Sequence, residues 1–350
     1  MSRNRTTAGA RGRRIALRLA AGFVALGVAA GALVAESDIA HARGASSAAE
    51  STVNQKAAQS AEPEPVAATT PSTRVTTTTT STALPAPVLV AVGAIGTYQT
   101  TTSDITVVDP SRSTPDRGSM AGHPGRTLRT LVITPSVSGG GKFPVIVFAH
   151  GYDSEPETYL RLLQAWASAG YLVLAPESPG SAANLLGSPV RSDIGGQAQD
   201  LSFVITKALS GTFGSVDPAR VTVAGHSDGG SAIATLALNV AYHDPRIANY
   251  IVLSGAIPDD VGGTWGTAPE SGRLLVVVGD QDEYSDLPAS TGVYDTATMA
   301  KTLAIAPGGD HLDTYLAATS LANDVRAETV AFLAGRSAPG QLELTSHSAA

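Results

Sequence analysis

The chain of 350 residues carries 23 Lys and Arg against 30 Asp and Glu, a net charge of −7, with 43% hydrophobic residues, 15% charged residues and no cysteine. Without cysteine there is no thiolate metal site, cysteine nucleophile or disulfide, and an acidic balance without a basic block lacks the Lys/Arg footprint by which nucleic-acid binders neutralise phosphates. The length admits one large domain or two small ones.

Arg3, Arg5, Arg11, Arg13, Arg14 and Arg18 precede an Ala/Gly/Val/Leu run over 19–35, and Ala40-His41-Ala42 places small residues at both positions of an A-x-A cleavage site. This order predicts a secretory signal peptide over 1–42. The apolar run falls short of the roughly 20 residues a spanning helix needs, so a cleaved signal is favoured over the alternative of an uncleaved anchor, and no stable membrane insertion is expected once the signal is removed. Arg13-Arg14-Ile15-Ala16-Leu17-Arg18 is similar to a twin-arginine export signal, with Ala16 where Phe is usual. The expected location is outside the cytoplasmic membrane, secreted or associated with the cell wall. From 43 to 88 the chain is rich in Ala, Ser, Thr and Pro, with Glu62-Pro63-Glu64-Pro65 and a threonine run over 76–80. Such a segment buries too little apolar surface to offset its ordering entropy, and a disordered linker is predicted.

Residues 89–335 read as one domain. Short β-rich runs fall at 104–108, 129–134, 144–149, 172–175, 220–224, 250–253, 274–278 and 302–305; helical spacing falls at 155–169, 194–209, 228–242 and 321–333. The runs from Pro144 onward are continuously apolar, as strands covered on both faces should be. Alternation predicts an α/β fold with a mostly parallel central sheet and helices on both faces; the first two runs are placed at an antiparallel edge. Irregular connections at 177–197 and 255–272 follow strands, where such sheets bind ligands. Residues 336–350 lose apolar periodicity and are expected to be a flexible tail.

The segment Val221-Thr222-Val223-Ala224-Gly225-His226-Ser227-Asp228-Gly229-Gly230 is a strand running through G-x-S-x-G into a helix. In that context the pattern is a nucleophile elbow, with Ser227 at the apex of a tight turn and a helix N-terminus beneath it. A serine hydroxyl needs a general base and an orienting carboxylate, in the order Ser, acid, His. The strand at 274–278 ends in Gly279-Asp280-Gln281-Asp282, and the strand at 302–305 is followed by Pro307-Gly308-Gly309-Asp310-His311. Ser227 is assigned as nucleophile, His311 as base and Asp282 as orienting acid. Asp280 is the competing acid, two residues away along the same turn. His226 is expected to point into the core. Of the remaining histidines, His41 leaves with the signal, His347 lies in the tail, and His123 and His243 read as surface residues.

Acyl transfer generates an oxyanion that preorganised backbone N–H groups stabilise. Phe148-Ala149-His150-Gly151-Tyr152, at the end of an apolar strand, points to the Tyr152 N–H as one donor and the Asp228 N–H, after the nucleophile, as the other. The Asp228 carboxylate would oppose a developing anion, so its main chain is the expected participant. Gly139-Gly140-Gly141-Lys142 lacks the glycine and hydroxyl positions of a phosphate loop, and Asp280-Gln281-Asp282-Glu283 lacks the glycine and closing glutamate of a calcium loop. No metal site is expected.

Phe143-Pro144-Val145-Ile146-Val147-Phe148-Ala149-His150-Gly151-Tyr152, followed by Gly170-Tyr171-Leu172-Val173-Leu174-Ala175-Pro176, resembles the chlorophyllase, dienelactone-hydrolase and platelet-activating-factor-acetylhydrolase-like branch of the α/β-hydrolase superfamily. It is also similar to bacterial cutinases and polyester hydrolases, and the likeness spans 98–335. The resemblance implies an α/β-hydrolase fold without a large cap domain and cofactor-free hydrolysis of carboxylic esters, with Ser227, Asp282, His311, Tyr152 and Asp228 in the roles above. It also implies substrate contacts from Tyr152 and from Trp265, which stands where polyester hydrolases carry an aromatic residue. Unlike those enzymes, this chain has no disulfide and has Asp228 where Met or Leu is common. The expected reaction is ester cleavage through an acyl-enzyme by an exported, monomeric serine hydrolase acting on a small-molecule or polymeric ester. An acyltransferase, a peptidase on the same residues, and a non-catalytic exported binding module are the alternatives.

Overall fold

The computed structural model describes residues 88–266 and 272–344. The expected signal peptide, nearly all of the expected linker and the end of the chain lie outside the described residues. Strands β1 (Thr100–Thr114), β2 (His123–Pro135), β3 (Phe143–Ala149), β4 (Leu172–Pro176), β5 (Val216–His226), β6 (Asn249–Leu253), β7 (Arg273–Gly279), β8 (Ala300–Ala306) and β9 (Gly340–Glu343) form one sheet in the order β1-β2-β4-β3-β5-β6-β7-β8-β9. The β1–β2 and β2–β4 pairs are antiparallel, and every other neighbouring pair is parallel. The expected mostly parallel sheet with an antiparallel edge is therefore the observed one.

The helices are α1 (Leu160–Ser168), α2 (Ile194–Leu209), α3 (Asp228–Leu238), α4 (Leu287–Thr296), the short α5 (Asp313–Leu316) and α6 (Ser320–Leu333). Alternate residues of each central strand serve opposite faces, as a period of two requires. Val145, Val147, Val221, Val223, Leu274 and Val276 pack with Ile194, Leu201, Ile205, Ile233 and Val293 of α2, α3 and α4. Ile146, Phe148, Ala224, Leu275 and Val277 pack with Leu162, Trp166, Val325 and Phe332 of α1 and α6. Fully buried Trp166 also needs a partner for its indole N–H, and donates to Thr329 Oγ1 at 2.8 Å, pinning α1 to α6.

Three of the expected elements differ in the structure, and α4 and α5 have no counterpart among the expected helices. The helix expected over 155–169 begins as a 3-10 turn at Pro156–Tyr159, with the proline in its first turn, and becomes α-helical at Leu160. α3 stops at Leu238, short of 242, because Asn239 turns extended (φ −101°, ψ 120°) and its amide holds the chain end: Nδ2 donates to Gly262 O and Oδ1 accepts from Ala241 N. The supposed tail contains β9, whose parallel pairing with β8 extends the domain past 335. Among the described residues no helix is long and apolar enough to cross a membrane.

Candidate active site

The parallel strands β3, β5, β7 and β8 bring His150–Tyr152, Ser227, Asp282 and His311 to one edge of the sheet, the carboxyl end where α/β sheets bind ligands. Ser227 connects β5 to α3 with φ 57° and ψ −123°, a conformation that costs a non-glycine residue about 1–3 kcal/mol. Its N–H donates to Leu253 O at 3.0 Å, and Ser231 N–H donates to Ser227 O at 2.9 Å, so strand and helix both hold the turn. The glycine two residues on is dictated by close approach: a Cβ at Gly229 would lie 2.2 Å from Ala149 O. The first turn of α3 is thereby seated against the end of β3.

His311 Nε2 lies 3.0 Å from Ser227 Oγ, and His311 Nδ1 lies 2.9 Å from each oxygen of Asp282. With Nδ1–H donating to the carboxylate, Nε2 is left to accept from the serine hydroxyl. Asp282 Oδ1 also accepts from the N–H groups of Tyr284 and Ser285, each at 2.9 Å. Burial works against the Asp282 charge, but the bonds from His311, Ser254, Ser285 and Tyr284 outweigh it and hold the carboxyl at about 2. Its rival Asp280 turns away, accepting from Gly308 N at 2.7 Å. The two acids thus have different tasks: Asp282 faces the imidazole, and Asp280 closes the loop before it.

Two buried histidines brace this arrangement. His226 lies inward, as its position before the elbow serine led us to expect. Its Nδ1 lies 2.9 Å from Tyr159 Oη, its Nε2 lies 2.8 Å from His311 O, and its ring centroid is 4.7 Å from that of His311. Burial, and next the nearby His311, lower its pKa to about 3, so it is neutral. His150 Nδ1 donates to Gly151 O at 2.9 Å, while Nε2 accepts from Ser178 N at 2.9 Å, tying the end of β3 to the loop after β4. Burial lowers its pKa as well.

Among the described residues neither Tyr152 N–H nor Asp228 N–H has a backbone or side-chain acceptor. The turn that carries Tyr152 abuts Ser227, since a Cβ at Gly151 would sit 3.2 Å from Ser227 Cβ. A cleft of about 650 Å³ opens there, with Tyr152, Tyr159, Arg191, Tyr284, Leu312 and Leu316 in its walls. Trp265, expected as a substrate contact, is absent from that wall: it pairs with Asn239 and packs, partly buried, against the core on that side of the sheet. Chain geometry explains the correction, because α3 ends early and the strand-like bridge at Asn239 draws Trp265 to the helix end. Sequence reasoning missed Tyr284, 82% exposed with its ring 5.1 Å from that of His311, and Arg191. Tyr284 stood two residues after the acid, within the same turn; nothing in the sequence singled out Arg191.

Residues 88–267 match the chlorophyllase family, a stretch that includes the elbow and the Tyr152 turn and ends before Asp282 and His311. No curated protein matches the chain. Among solved structures, a ferulic acid esterase from Streptomyces cinnamoneus is similar in fold, with a TM-score of 0.53 and 21% identity, covering 71% of this chain and 92% of that one. With half of its length matched, the chain belongs to the chlorophyllase family, an α/β-hydrolase family of carboxylic ester hydrolases.

Proposed function

We propose that the protein is an exported serine hydrolase that cleaves carboxylic esters through Ser227, His311 and Asp282. The observation that carries this reading is the unbroken path from Ser227 Oγ to His311 Nε2 at 3.0 Å and from His311 Nδ1 to Asp282 at 2.9 Å, at the floor of an open cleft. Ser227 Oγ attacks the ester carbonyl while His311 Nε2 takes its proton; the oxyanion is received by the N–H groups of Tyr152 and Asp228. Collapse of the tetrahedral species returns the proton to the leaving alcohol and leaves an acyl-Ser227. Water, deprotonated by the same Nε2, then releases the acid and restores the serine. Asp282 keeps the imidazole in the tautomer that accepts from serine and offsets the positive charge it acquires.

The walls favour an apolar group beside the scissile bond: Tyr152, Tyr284 and Leu312 are exposed around Ser227. Export rests on the arginine-rich leader, apolar run and Ala40-His41-Ala42, and places the substrate, soluble or polymeric, outside the membrane. The test is hydrolysis of p-nitrophenyl esters from acetate to palmitate by the purified protein and by Ser227→Ala. The expected result is turnover that disappears in the variant, with a chain-length optimum that sizes the acyl site; wild-type protein inert across the series would overturn the reading.

A further inference from the structure

The residue after the nucleophile is an acid that the proposed chemistry does not use. Asp228 is 4% exposed; its Oδ1 lies 3.4 Å from Arg191 Nη1, and its Oδ2 has no hydrogen-bond partner among the described residues. Burial pushes its carboxyl above the ordinary range, Arg191 and His311 act against that shift, and Asp260 adds to it. A carboxylate so placed repels negative charge forming at its own N–H, and repulsion is stronger in a half-buried cleft than in water.

Arg191 begins the 3-10 turn Arg191–Asp193 that leads into α2. Its guanidinium lies 4.8 Å from the centroid of the Tyr152 ring, and Tyr152 Oη donates to Pro189 O at 3.3 Å. Tyr152 and Asp228 are the residues whose N–H groups are assigned above to the oxyanion, so one cation engages the side chains of both. That side chain is 66% exposed, and an ion pair so exposed adds little to folding stability. The turn that carries it is nevertheless firmly held: Asp193 accepts from Arg126 at 2.7 Å and 3.1 Å.

We propose that Arg191 is a positioning residue of the oxyanion site: resting on the Tyr152 ring, it is held beside Asp228 and cancels the Asp228 charge where the anion forms. The proposal rests on the serine-hydrolase reading above. It accounts for an acid at this position, because the arginine removes the penalty the acid would impose.

The test compares kcat and KM of wild type, Arg191→Gln, Asp228→Asn and the double variant on one p-nitrophenyl ester, with Ser227→Ala beside them. Asp228→Ser provides a second uncharged background. Arg191→Gln is expected to lower kcat about tenfold, with little change in KM, because the cation acts on the transition state. In either uncharged background the same replacement is expected to cost less than about twofold, since no carboxylate remains to be cancelled. An equal loss in all backgrounds, or Arg191→Gln with wild-type kcat, would overturn the proposal while leaving the reaction intact. Turnover that survives Ser227→Ala would instead overturn the reading beneath it.

Discussion

His226 donates from Nε2 to the backbone carbonyl of His311 at 2.8 Å, so the residue before Ser227 fixes the main chain of the proposed base. The other ring nitrogen of His226 accepts from Tyr159 Oη at 2.9 Å, and Tyr159 Oη in turn accepts from Gly151 N–H at 3.2 Å. A single line of buried hydrogen bonds therefore runs from the Gly151–Tyr152 turn to His311. Tyr159→Phe keeps the ring that packs on Phe148 and removes the hydroxyl at the centre of the line. Two buried groups lose their partner, and the expected cost is about 2 kcal/mol of stability, read as a lower urea midpoint. kcat should fall several-fold in step with the loosened turn; a variant equal to wild type in both would show that the line is incidental.

Acid should weaken the fold in two windows. His226 titrates at about 3 when folded, against about 6.5 for an ordinary imidazole, and burial shifts His150 in the same direction. The unfolded chain therefore binds protons below pH about 6.5 that the folded chain refuses, and stability falls as the pH drops from there toward 3. Asp282, held at about 2, adds stability above its unfolded value of about 3.9 that is lost as pH falls from there toward 2. Urea midpoints at pH 7, 5.5 and 4 should decline, and His226→Gln should flatten the slope. Midpoints independent of pH would contradict the neutral buried histidines.

The two acids of the β7 turn can be separated by amide replacement. Asp282→Asn leaves His311 Nδ1 without a carboxylate, and kcat is expected to drop roughly 10⁴-fold, as when the acid of a Ser-His-Asp set is replaced. Asp280→Asn retains an oxygen to accept from Gly308 N–H and is expected to stay within about twofold of wild type. The reverse ranking in steady-state assays would move the orienting role to Asp280.

Arg126, only 2% exposed, binds Asp200 at 2.7 Å and 2.6 Å, and Arg112 reaches the same carboxylate at 2.6 Å. Asp200→Ala leaves a buried guanidinium with fewer partners, and a loss of about 3–5 kcal/mol is expected in chemical denaturation. Because Arg126 also anchors Asp193, the damage should extend to the turn bearing Arg191. A stability loss below about 1 kcal/mol would place this network among ordinary surface ion pairs.

Much of the site was legible because its chemistry is carried by short local patterns at strand ends. Gly225-His226-Ser227-Asp228-Gly229 announces the elbow by demanding glycines where backbone meets backbone, and the acid and histidine follow the next strands in order. α4 was hidden because Leu287-Pro288-Ala289-Ser290-Thr291-Gly292 has little apolar periodicity; its cap at Asp286, which accepts from Ala289 N, and Pro288 in its first turn carry the signal. β9 was hidden because Gly340–Glu343 is half exposed, and only pairing with β8 makes it a strand. Trp265 and Arg191 depend on where loops return in space, which residue spacing does not encode. Arg117 makes the same point: its guanidinium donates to the carbonyls of Pro179, Ala182, Leu185, Leu186 and Gly187, shaping the loop beside the cleft from more than 60 residues away.

The central claim is that Ser227 is a nucleophile activated by His311, and covalent labelling tests it most directly. Incubation with an alkyl fluorophosphonate followed by mass spectrometry of the peptides should give one adduct per chain, on Ser227, that is absent in Ser227→Ala and strongly slowed in His311→Ala. An unlabelled Ser227, or an adduct on another residue while ester hydrolysis is inhibited, would contradict the account.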